Sequence, residues 1–74
     1  MYRSKKMDIL ITRFLTNEET VLYSVQNDGY TVPREMFALP PKESNLWTWK
    51  EVCHYVWYWS HETNVTVTVR YKKG

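Results

Sequence analysis

Polar and apolar positions alternate in two stretches of the chain and recur with helical spacing in a third. Residues 65–71 (VTVTVRY) alternate without a break: Val65, Val67, Val69 and Tyr71 face one way, and Thr66, Thr68 and Arg70 the other. This is the pattern of a half-buried strand. Residues 20–26 alternate in the same manner, with Val21, Tyr23 and Val25 on one face. Residues 7–15 (MDILITRFL) are apolar on both faces, as expected of a central strand or one covered on its second side. The polar cluster Thr16-Asn17-Glu18-Glu19 joins these two strands into an antiparallel hairpin. Asn27-Asp28-Gly29 then signals a second turn, leading into a short third strand over 30–32 that Pro33 ends.

Between Pro33 and Asn45 the pattern weakens. Residues 34–39 suit one helical turn, with Met36, Phe37 and Leu39 as apolar plugs, and Pro40-Pro41 stiffens the connection toward the helix. The helix comes next. Thr48-Trp49-Lys50-Glu51 matches a capping box, and Trp47 and Val52 hold the positions of a hydrophobic staple. The helix is predicted from about Trp49 to about Glu62, with Asn64 as a left-handed stop. At 100° per residue Trp49, Val52, Cys53, Val56, Trp59, Ser60 and Thr63 share an arc predicted to face the sheet. Burial there contributes about 1.5–3 kcal/mol per large side chain before entropy is charged. Cys53 is expected to be a buried small hydrophobe.

The order strand, strand, short strand, helix, strand predicts an α+β fold. It is a small antiparallel or mixed sheet of three to four strands with one helix packed across one face. The last strand is expected beside the first, because a helical crossover carries the chain over the sheet. At 74 residues there is room for one domain, expected over 7–71, with basic tails at 1–6 and 72–74 and Met7 as a candidate start.

Charge refines this picture. The formal charge is +2, but five of the ten basic residues lie within the first six or last three positions. Residues 7–71 hold five cations and eight acids, a net of −3, so the body reads as mildly acidic. A duplex-binding domain is expected to show the reverse. One cysteine excludes a disulfide scaffold. The sequence has no 18-residue apolar run and no charged leader followed by an apolar segment, so neither a membrane partner nor secretion is expected, and the location is expected to be cytoplasmic.

Catalytic chemistry is not expected. His54 and His61 are two helical turns apart, about 10 Å, too far to share a metal ion. No glycine-rich phosphate loop is present, and no metal or cofactor is expected. The outer side of the helix carries the remaining chemistry. Lys50, His54, Trp57 and His61 line one edge; Glu51, Tyr55, Tyr58 and Glu62 line the other. Aromatics where Lys, Glu and Ala are usual mark an interface, unless loop 33–47 folds back and makes this side a second core. The first expectation is therefore a protein partner held by Glu51, His54, Tyr55, Trp57, Tyr58, His61 and Glu62. The alternative is unpaired nucleic acid stacked on Lys50, His54, Trp57 and His61 with help from Arg70, Lys72 and Lys73. A third reading is a homodimer in which two aromatic helix faces bury each other.

In element order over 7–71 the chain resembles small phage-encoded proteins such as the Dmd-type antitoxins of T-even phages and other inhibitors made early in infection. Segment 33–41 departs from that layout, and no residue role carries over. The resemblance implies stoichiometric inhibition in the host cytoplasm, by covering a surface on a host enzyme, toxin or defence factor.

Overall fold

Strand β1 (Lys5–Leu15) is the spine of the molecule, central as expected, with Met7, Ile9 and Ile11 buried on one face and Leu10 and Phe14 partly exposed on the other. The structure is a computed structural model that describes residues 5–40, 42 and 45–74. β1 pairs antiparallel with β2 (Val21–Asn27) and parallel with β4 (Val65–Lys73). The two-residue β3 (Tyr30–Thr31) extends the far side of β2, giving the order β3-β2-β1-β4. The fold is therefore α+β, a mixed four-stranded sheet with one helix, and the last strand lies beside the first. The turn between β2 and β3 puts Asp28 at φ 52° and Gly29 at φ 86°. Two adjacent positive φ values match the right-handed twist of the flanking strands.

The ends of the chain differ from the sequence expectation. Lys5 and Lys6 belong to β1, while Lys72 and Lys73 belong to β4 opposite Thr12 and Arg13. The Gly74 N–H donates to the Arg13 carbonyl at 2.8 Å. These lysines are not tail residues, because continuous parallel pairing satisfies their backbone while their charged ends reach solvent. Residues 1–4 of the expected N-terminal tail lie outside the described residues.

Helix α1 (Trp49–Ser60) begins as its cap predicts: Thr48 Oγ1 accepts from the Glu51 N–H at 3.3 Å, and Glu51 Oε1 accepts from the Thr48 N–H at 2.9 Å. It ends at Ser60, two residues before the expected stop, and the chain turns into β4 through Asn64 at φ 65°. Its buried arc is Val52, Tyr55, Val56 and Trp59. That arc is turned by about 50° from the one the periodicity predicts. Cys53, Ser60 and Thr63 are exposed, and Trp49 is half exposed, where the periodicity predicts burial. Two contacts explain the turn. Trp49 sits 5.0 Å from Tyr23 of β2, whereas Trp59 lies under the Lys5 ammonium at 6.0 Å. Lys5 pairs with Val65 of β4, so the helix crosses the twisted sheet obliquely, from above β2 at its start to above β1 and β4 at its end.

Met7, Ile9, Ile11, Val25, Trp47, Val52 and Tyr55 form the core. Trp47 is drawn in by an antiparallel bridge to Tyr23, with backbone bonds of 2.7 and 2.9 Å. Pro33 ends β3 and opens a 3-10 turn over Arg34–Phe37. Phe37 and Leu39 pack against the core as expected, but Met36 is 77% exposed and plugs nothing.

Candidate functional site

The oblique crossing leaves α1 with two unlike flanks. On the first, residues 34–40 and 45–47 pack back against the helix. Arg34, only 1% exposed, is their anchor. Nε of Arg34 donates to the Pro40 carbonyl at 2.9 Å and Nη1 to the Leu46 carbonyl at 3.0 Å. The guanidinium also forks onto Glu51, with Nη1 to Oε1 at 2.5 Å and Nη2 to Oε2 at 2.8 Å. Asn45 Oδ1 accepts from the Arg34 N–H at 3.0 Å. Hydrogen bonding to Arg34 lowers the Glu51 carboxyl to about 2, well below the usual carboxylate range. Glu51 in turn raises the guanidinium.

Once tied down, this segment delivers Phe37 edge-on against Tyr55 at 5.3 Å, Tyr58 at 5.6 Å and His54 at 5.4 Å. Trp47 meets Tyr55 edge-on at 5.3 Å. Tyr55 is 4% exposed, and burial pushes its phenol pKa up. Tyr55 and Glu51, expected on an interface, are thus core and cap residues. On this side the loop covers the helix and makes a second core. Tyr58, His54 and Glu62 keep exposed surface at its margin.

The second flank is open. Trp49 is 51% exposed and Trp57 59%. Between α1 and β4 they border a groove of about 410 Å³, lined also by Ile11, Val52, Cys53, Val56, Ser60, His61 and Val69. Val69 and Tyr71 of β4 are 44% and 51% exposed beside it. Trp57 stacks on His61 at 4.5 Å with planes 30° apart, and His61 Nδ1 lies 2.9 Å from the Trp57 carbonyl oxygen. Trp57 and His61 are therefore brought together as the helical spacing predicts.

The residues of the nucleic-acid reading are brought together only in part. Lys50, His54 and Trp57 lie on the helix and His61 is its C-cap. Arg70 and Lys72 alternate with Val67, Val69 and Tyr71 on the helix side of the sheet, so they lie on the face away from the helix. Arg70 is further engaged by Asp8 through two bonds of 3.0 Å. Lys73 falls on the helix side.

Sequence reasoning missed three features. Arg34 shares segment 33–47 with Lys42, and nothing local marks it as the buried one. Trp49 and Cys53 have the periodicity of core positions, and only the oblique crossing exposes them. A second cavity of about 370 Å³ lies at the other end of the sheet, among Lys5, Asn27, Tyr30, Phe37, Tyr55 and Trp59 with Val32 and Met36. Asn27 Oδ1 and Trp59 Nε1, both buried, have no hydrogen-bond partner among the described residues.

Among the described residues no three His, Cys, Asp or Glu side chains converge as a metal site. No helix among them is long and apolar enough to cross a membrane. Comparison of the chain with protein-family models, with curated proteins and with solved structures found no match.

Proposed function

We propose that the chain is a non-enzymatic protein-binding module whose binding surface is the open flank of α1. The observation that carries this reading is the pair of half-exposed tryptophans, Trp49 and Trp57, over an apolar groove continued by Val69 and Tyr71. Tryptophan and tyrosine dominate the energetics of protein interfaces, and a solvent-facing apolar patch of this kind stays wet unless a partner covers it. Action is stoichiometric: occupying this flank blocks a surface of the partner. Blocking a host enzyme, toxin or defence factor in the host cytoplasm is the form of the role that the phage-type layout implies.

The test is affinity capture from extract with the wild type and with a Trp49→Ala/Trp57→Ala double variant, both checked for folding by circular dichroism. The expected result is a partner held in a fixed ratio by the wild type and lost at least tenfold in the variant, since each hot-spot tryptophan contributes about 2 kcal/mol or more. A folded variant that captures the same partner at the same level overturns the reading.

One observation favours the alternative of single-stranded nucleic acid. The terminal lysines are ordered in adjacent strands, so their charge is fixed on the fold. Against it, Arg70 and Lys72 lie on the opposite sheet face from Trp57 and His61. Binding of an unpaired oligonucleotide that weakens steeply with salt and is lost on Trp57→Ala would favour nucleic acid over protein.

A further inference from the structure

We propose that β4 is a docking edge that takes up an extended acidic segment of the partner as a fifth strand, seating that segment's apolar side chains in the groove beside Trp49 and Trp57. This rests on the protein-binding reading and names how the partner is held.

Backbone geometry makes the first part of the case. The Lys5 N–H donates to the Asn64 carbonyl at 2.7 Å, and the Gly74 N–H to the Arg13 carbonyl at 2.8 Å. In a strand each residue sends its N–H and C=O to the same side, and successive residues alternate sides. The even-numbered residues of β4 therefore bond β1, and Val65, Val67, Val69, Tyr71 and Lys73 direct their N–H and C=O outward. Among the described residues no strand pairs with that edge. The opposite edge of the sheet is blunted: β3 has two residues, Pro33 comes soon after, and Trp47 bridges to Tyr23. β4 has neither proline nor glycine, and its register with β1 is unbroken from Val65 to Lys73. A long, regular, unpaired edge is the template for strand addition.

The groove and the charge select the occupant. The outward-bonding residues are also those whose side chains face the helix, so an added strand places every second side chain beside Val67, Val69 and Tyr71, at the groove. Its other side chains fall beside Thr66, Thr68, Arg70 and Lys72. On that face β1 and β4 carry three cations (Lys6, Arg70 and Lys72) and one carboxylate, Asp8, which Arg70 already holds, while Lys5, Arg13 and Lys73 fall on the helix side. The complementary strand alternates apolar and acidic residues. A second copy of β4 would bring three more cations to this edge and no carboxylate.

The experiment is fluorescence anisotropy of a labelled peptide of alternating valine and glutamate, about nine residues long to match β4, titrated with the full chain. Controls are the same peptide with lysine for glutamate, and with every second backbone nitrogen methylated. Val69→Pro removes one outward N–H while sparing the bonds to β1; Val69→Thr keeps it. The glutamate peptide is expected to bind about tenfold or more tighter than the lysine peptide, and to weaken as salt rises from about 50 to about 500 mM. Methylation and Val69→Pro should each weaken it about tenfold or more, and Val69→Thr by less than about threefold. Methylation reads out on unaltered protein, so the test stands even if Val69→Pro does not fold. Equal binding of the glutamate and lysine peptides, or no effect of methylation, overturns the proposal. Loss on Trp57→Ala with no effect of methylation leaves the binding module and removes strand addition; indifference to both removes both readings. A concentration-dependent dimer in light scattering, abolished by Val69→Pro, overturns the acidic segment in favour of a second copy.

Discussion

The two flanks of α1 start from similar raw material, aromatic residues at helical spacing, and end in opposite states. Tyr55 is buried beneath Phe37 and Trp47, whereas Trp57, two residues on, stands more than half exposed. The difference comes from what packs against each side. Segment 33–47 can cross only one flank, and the Arg34–Glu51 pair ties it there. The other flank faces the far half of β4, from which the helix diverges as it crosses the sheet. Identical periodicity thus yields a second core on one side and a wet groove on the other. An aromatic helix face is therefore not by itself an interface; it becomes one where no chain segment reaches it.

The contrast can be broken hardest at Trp47, which is fully buried. Trp47→Ala should cost about 4 kcal/mol of folding stability in urea denaturation, as large-to-small changes in a packed core do. A loss under about 1 kcal/mol would mean that the closed flank is not a second core. Next in size is Arg34→Ala, expected to cost about 3 kcal/mol because the part-buried Glu51 carboxylate and the Pro40 and Leu46 carbonyls all lose their donor. The same variant should expose Tyr55, visible as faster amide exchange across segment 33–47 and the middle of α1.

Acid probes the same pair. The Glu51 carboxyl is lowered to about 2 in the fold. Its contribution to stability is complete above the ordinary glutamate value near 4.5 and is lost as pH falls from there through about 2. The melting temperature of the wild type should fall over that window, and Glu51→Gln should remove this part of the fall while lowering stability at neutral pH. If Glu51→Gln leaves the acid profile unchanged, the pair does not hold the flank closed.

The smallest stability effects belong to the open flank. Trp57→Ala should change stability by no more than about 0.5 kcal/mol while abolishing partner capture. Cys53 is exposed and lies in the groove wall. A thiol reagent should therefore modify it in the native protein within about tenfold of its rate in denaturant. Strong protection of Cys53 would show that this flank is covered.

Much of the fold is legible in local pattern. The Thr48–Glu51 capping box, the turn at Asp28-Gly29, the left-handed Asn64 and the β1–β2 hairpin depend on residues close in sequence, whose backbone preferences act at short range. The helix arc is legible in kind and not in angle, because the angle depends on Tyr23, Lys5 and the twist between them. For the candidate site, Trp57 and His61 are legible as neighbours one turn apart. The opposite fates of Tyr55 and Trp57 are not, since both are aromatic and both lie outside the arc that periodicity assigns to the core.

The terminal lysines show the same division. By sequence they are charged ends, and their lateral bonding depends on a partner strand about 60 residues away, as in the pairing of Lys5 with Val65. What the sequence determined by itself is the order of the main elements, together with their caps and turns. Those arise from torsional preference and periodicity over a few residues. Only the tertiary structure decided which flank of α1 is closed, that Arg34 is buried, and that the outward bonds of β4 run along the open groove. Each of these is set by packing between segments distant in the chain, which no local pattern encodes.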